Sequence, residues 1–126
     1  MFRIRREQLD FFADKTRRAY VEKMSAWLRE AYPECVGAMS RGELETWVTA
    51  AVHKAESYRV VMETDVAQLM LLFMILGLDA DERLPWLGET LARRDLEGIG
   101  KVRKLVAEAR EKNVAGIESV VLEETS

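Results

Sequence analysis

Cys35 and His53 are the sole cysteine and the sole histidine of the chain, and they are the first place to look for chemistry. A thiolate paired with an imidazole is a nucleophile, but only when a set geometry brings base and thiol together. With one of each, they could meet only by accident of folding, and a lone cysteine is usually an inert packing residue. The pair therefore reads as a packing cysteine and a boundary or surface histidine. A structural zinc site draws on several cysteines and histidines, so none is expected here.

The second candidate is the acidic stretch LDADERLPW at 78–86. Asp79, Asp81 and Glu82 offer oxygen ligands to a hard cation. The glycine and the closing glutamate that a calcium loop needs are missing at the required positions. The chain also has no phosphate-cradling glycine loop, no dinucleotide fingerprint, no paired metal-ligand histidines and no elbow serine. A non-enzymatic protein is expected, with no catalytic residue, no cofactor and no metal.

The elements that carry these residues read as helices. Over residues 5–32, Leu9, Phe12, Thr16, Tyr20, Met24, Trp27, Leu28 and Ala31 recur at spacings of three and four, one apolar stripe of a long helix. Asp14, Arg17, Arg18, Glu22 and Arg29 fall opposite. Pro33 stops that helix, because it lacks an amide donor and disfavours helical geometry at Tyr32. PECVGAM is then a linker with room for a helical turn. Ser40 and Glu43 form a capping-box pattern, and the helix it opens, 41–57, places Leu44, Trp47, Val48, Ala51, Val52 and Ala55 on one face. SYRVVMETD is a short connection.

A third helix begins at Glu63 or Thr64, with Asp65 near its positive N-terminal end, and runs to about Leu76. It contains LMLLFMILGL. From Val66 to Leu78 the apolar segment is about 13 residues, interrupted by Gln68. A bilayer span needs roughly 20, and an interfacial helix needs a polar face. A helix apolar all round is a core helix, so Leu69, Leu72, Phe73 and Leu76 are expected inside. Gly77 suits its C-terminus. LDADERLPW then reads as an acidic loop, with Pro85 at the first position of a short helix over 86–93. The last helix, 96–112, carries Ile99, Val102, Leu105, Val106 and Ala109 in the same rhythm. No segment shows the sustained alternation of a sheet. The fold class is all-α, a compact bundle of about five helices around a central apolar helix at 64–77. Residues 1–113 are expected to form a single helical domain and 114–126 a flexible C-terminal tail.

A chain of 126 residues with 48% hydrophobic and 33% charged residues is neither disordered nor a bulk membrane protein. Its net charge of -3 advertises no nucleic acid, and the nearly apolar third helix lacks the polar side chains of a recognition helix. Charge is uneven, with Arg3, Arg5, Arg6, Lys15, Arg17, Arg18, Lys23 and Arg29 early and an acidic balance over 31–90. EQLDFFADKTRR follows the first basic residues where a signal peptide would be apolar. A cytoplasmic location and no membrane partner are expected. Trp27, Trp47 and Trp86 lie on apolar faces and are expected in the core; an exposed one would be an interface anchor.

IRREQLDFF near the start, WLREAYPE at the end of the first helix, and ETDVAQLMLLFMILGLDADERLPW together resemble a family of small bacterial proteins. These are encoded beside type VI secretion components such as PAAR-repeat or spike proteins and their toxic effectors. The resemblance spans residues 3–95, its most distinctive part being the Gly77–Trp86 segment. The chain departs from the family in a shorter loop before LPW and in lacking a glycine between Tyr58 and Val61. The resemblance implies an accessory protein that binds another protein: an adaptor or chaperone for a secretion effector or spike component. An immunity protein neutralising a cognate toxin is the alternative, and a structural helical domain of an unrelated complex a third. Arg17, Arg18, Asp79, Asp81, Glu82 and Trp86 are the candidate partner-binding residues. All but Trp86 are charges the expected core does not need, and binding residues collect on loops of rigid scaffolds.

Overall fold

A computed structural model of the chain describes residues 14–117. It is helical as expected, with α1 (Asp14–Ala31), α2 (Pro33–Val36), α3 (Arg41–Ser57), α4 (Glu63–Leu76), α5 (Ala80–Arg83), α6 (Pro85–Ala92) and α7 (Gly98–Glu111), and no strand among the described residues. Leu9 and Phe12 lie outside those residues, as does the tail beyond Ile117. Contacts cluster in two compact units, Met1–Lys54 and Ala55–Ser126, whose boundary falls within α3.

In the first unit the buried side of α1 is Tyr20, Val21, Met24, Ser25 and Leu28. The stripe is thus rotated from the expected one. Arg17 lies in line with it and is half-buried, while Trp27 is half-buried and Ala31 exposed. Pro33 does more than stop α1: it opens α2 from the first helical position, where its missing N–H is not needed. Arg29 Nη2 donates to the Met39 carbonyl at 3.3 Å, tying the end of α1 to the turn after α2. The capping box forms as read. Ser40 N donates to Glu43 Oε1 at 2.8 Å and Glu43 N to Ser40 Oγ at 3.1 Å. Leu44, Val48, Ala51 and Val52 are buried along α3, but Trp47 is only half-buried.

The second unit begins at a turn that needs no glycine. Val60 N donates to Ala55 O at 2.9 Å and Arg59 N to Glu56 O at 2.9 Å, with Arg59 at φ 64. This is a Schellman cap in which an arginine takes the left-handed position. Val60 and Ala55 are both buried. The same device closes α7, where Val114 N meets Ala109 O, Asn113 N meets Arg110 O and Asn113 has φ 56.

Along α4, Leu69, Leu72 and Phe73 are at most 1% exposed, as expected of a core helix. Leu76, also expected in the core, is half-buried together with Met74 and Ile75. Burial all round ends one turn before the helix does, and Gly116 of the turn after α7 lies against Ile75. Helix α4 packs on α7, and α6 packs on both α5 and α7. Ile117, within the expected tail, is buried. No helix among the described residues is long and apolar enough to cross a membrane.

Candidate functional site

Gly77 ends α4 at φ 108 and ψ 148, a conformation essentially reserved for glycine. The chain then forms a helical turn, α5, where the sequence predicts an acidic loop. The cause is Arg83. Its Nε donates to Asp79 Oδ1 at 3.0 Å, and its Nη2 donates to the Leu76 carbonyl. One guanidinium therefore satisfies a carbonyl left open at the end of α4 and pins the first residue of the next turn. Gly88 lets α6 close on α5, since a Cβ there would stand 2.3 Å from the Asp81 carbonyl oxygen. Pro85 opens α6, as its position in the sequence predicts.

Among the predicted site residues, Asp79 and Glu82 are exposed, Asp81 and Trp86 half-buried. Asp81 also has a partner within the fold. The Tyr58 hydroxyl donates to Asp81 Oδ2 at 2.7 Å. Burial, that hydrogen bond and the charges of Asp81 and Glu82 push the Tyr58 phenol up to about 12. From the other side, the buried Lys101 Nζ donates to the Tyr58 carbonyl at 2.7 Å. Tyr58 is therefore tied to α5 by its ring and to α7 by its backbone. Burial, with Arg59 and Arg94 nearby, lowers the Lys101 pKa.

Asp65, read as a favourable N-terminal charge on α4, is buried, with its Oδ2 beside Gly98 at the start of α7. Burial raises its pKa and Arg103 partly opposes that shift. Ile99, placed on the apolar face of α7 by periodicity, is 44% exposed. The buried face is instead Lys101, Val102, Leu105, Val106 and Ala109. Periodicity scored only apolar residues and so passed over a lysine that stands within the stripe.

Trp86 is the site residue that the core leaves partly uncovered. Leu87, Thr90 and Leu91 form the buried side of α6, and Thr90 Oγ1 donates back to the Trp86 carbonyl at 2.8 Å. The Lys112 ammonium sits 5.5 Å from the Trp86 ring centroid, within cation–π range. Arg17 and Arg18 belong to the first unit, where Arg17 is half-buried and Arg18 exposed. In that unit Trp27 meets Tyr32 edge-on, with centroids 5.6 Å apart.

Cys35 and His53 are both exposed, on α2 and α3. No three His, Cys, Asp or Glu residues among those described converge as metal ligands. Asp79 and Asp81 face Arg83 and Tyr58 instead. No protein-family model, no curated protein and no solved structure matches the chain.

Proposed function

We propose that this chain works by binding another protein, as a non-enzymatic adaptor or chaperone for an effector or spike component of a type VI secretion module. The observation that carries the binding reading is Trp86. A tryptophan left half-exposed on a short helix, next to a turn bearing the exposed Asp79, Glu82 and Arg83, has the composition of an interface anchor and its polar rim. The rigidity of that turn also favours binding, because Arg83, Gly88 and Tyr58 hold it before any partner arrives. The secretion context rests on the resemblance across residues 3–95. The acidic balance of residues 31–90 favours the alternative, an immunity protein that meets a basic toxin site with fast, salt-sensitive association.

The test is affinity purification from the native host with the wild-type chain, Trp86→Ala, Glu82→Lys and Arg18→Glu, each checked for an unchanged melting temperature. Loss of one specific partner with Trp86→Ala or Glu82→Lys is the expected result. Wild-type recovery by every variant would remove this face from the account. Equal recovery from a strain lacking the secretion locus would remove the context.

A further inference from the structure

Asp65, the third residue of α4, is 6% exposed, and among the described residues its carboxyl has neither a hydrogen bond nor an ion pair. It lies against the first residue of α7. A Cβ built on Gly98 would stand 3.4 Å from Asp65 Oδ2, 3.5 Å from Val60 Cα and 3.7 Å from the Arg59 carbonyl oxygen. Gly98 is therefore seated between α4 and the turn that precedes it. Three residues further on, the buried Lys101 Nζ donates to the Tyr58 carbonyl at 2.7 Å. This first turn of α7 is held by little else. Gly98 and Gly100 weaken it as a helix, Ile99 is 44% exposed, and no side chain caps its N-terminus. The buried Leu105, Val106 and Ala109 anchor the rest of α7.

A carboxylate enclosed without a hydrogen bond gives up its hydration and gains no partner, whereas the neutral acid gives up far less. Burial accordingly raises the Asp65 pKa, and the charge of Arg103 on α7 opposes the rise. The positive end of α7 acts in the same sense as Arg103. Of the other charges here, the Lys101 ammonium is engaged with the Tyr58 carbonyl and the Arg59 side chain is exposed. Glu63, on α4 itself, and Glu97, just before α7, bring no countercharge. We propose that the first turn of α7 is a proton-controlled latch. Neutral Asp65 keeps Gly98 seated on α4; ionised Asp65 lets Gly98–Lys101 lift into water while the remainder of α7 stays packed. Lifting hydrates the carboxylate. Because Lys101 belongs to that turn, lifting also frees the Tyr58 carbonyl, one of the two ties on Tyr58. The latch is built into this chain and operates whether or not the protein-binding reading holds.

Amide hydrogen exchange of the full chain, followed by NMR across the acid to neutral range and divided by the intrinsic rates, reads this opening directly. The reporters are the Lys101 amide, which donates to the Glu97 carbonyl at 2.9 Å, and the Val102 amide. The Ala109 amide, towards the other end of α7, reports larger openings. In the wild-type chain the opening constant at Lys101 and Val102 is expected to be level below about pH 4, the ordinary carboxyl pKa. It should then rise about tenfold per pH unit until Asp65 ionises in the closed chain as well. Asp65→Asn, and Asp65→Ala as a second variant, should give level profiles. Arg103→Gln should carry the rise to higher pH. Dilute urea should speed exchange at Ala109 and leave Lys101 and Val102 unchanged. A level wild-type profile, a rise that persists without the carboxyl, or first-turn exchange that follows Ala109 in urea overturns the latch.

Discussion

Among the described residues of the Met1–Lys54 unit the buried positions are Tyr20, Val21, Met24, Leu28, Val36, Leu44, Val48, Ala51 and Val52, joined by one polar residue, Ser25. The Ala55–Ser126 unit also has an apolar core, but it encloses Asp65, Gln68, Thr90 and Lys101 as well. The difference follows helix length. The first unit draws on α1 and α3, of 18 and 17 residues, which can offer long apolar stripes. In the second, α5 and α6 have 4 and 8 residues, too short to be held by a stripe alone, and their ends leave backbone groups to satisfy. Buried and half-buried polar side chains add ties here: Lys101 bonds the Tyr58 carbonyl, the Tyr58 hydroxyl bonds Asp81 of α5, and Thr90 bonds back within α6 to the Trp86 carbonyl. A unit held by polar ties is more sensitive to pH and to loss of single hydrogen bonds than one held by apolar packing.

The largest expected effect is common to both units. Phe73→Ala should cost about 3–5 kcal/mol and Leu28→Ala about 2–5 kcal/mol, since both side chains are at most 1% exposed. Urea denaturation measures each, and an unchanged midpoint for Phe73→Ala would contradict its place in the core. The comparison sharpens with Tyr58→Phe, which removes the hydroxyl and leaves the ring. A cost of about 1.5–3 kcal/mol is expected for a hydrogen bond to a carboxylate. The tie also has a pH signature. The Tyr58 pKa is raised to about 12 in the folded chain, so its contribution is intact below the ordinary phenol pKa of about 10 and is lost between there and about 12. Tyr58→Phe should flatten that alkaline loss of stability.

Asp65 against Ser25 is the next contrast. With the Asp65 pKa raised by burial, ionising it opposes folding; the penalty is absent below the unfolded carboxylate pKa of about 4 and complete above the folded one. Asp65→Asn is expected to raise the melting temperature at pH 7 and to leave it unchanged at pH 3. Ser25→Ala should stay within about 0.5 kcal/mol at both, because the buried Ser25 hydroxyl has no hydrogen-bond partner to lose. Equal pH dependence in the two variants would erase the distinction between the units. A further small effect is at the Schellman turn. Arg59→Gly should stabilise by up to about 1 kcal/mol, by relieving a left-handed arginine.

The sequence makes the helices of both units legible because their signals are local. The Ser40 and Glu43 box, Pro33, Pro85 and the apolar run of α4 mark ends and core with chemistry confined to a few residues. What it conceals depends on partners distant in the chain. Nothing near Tyr58 announces that Asp81 and Lys101 will hold it, and the i,i+4 spacing of Asp79 and Arg83 hints only weakly that the acidic stretch is a helical turn. The three tryptophans were expected in the core because each sits at an apolar phase of its helix. Phase gives direction but not depth, and a large ring at the edge of a stripe reaches past the neighbours that would cover it. The rotated stripe of α1 has the same origin: Val21 and Ser25 take the inner positions that Trp27 and Ala31 were expected to share.

The central claim, that Trp86 is where this chain meets another protein, is tested most directly by calorimetric affinity measurements. The purified partner would be titrated into Trp86→Ala, Trp47→Ala and Trp27→Ala at matched salt, each variant first shown to be folded. A loss of roughly 30-fold or more is expected for Trp86→Ala alone, the size of effect that marks an interface anchor. Wild-type affinity for Trp86→Ala, or a comparable loss confined to Trp27→Ala or Trp47→Ala in the other unit, would contradict it.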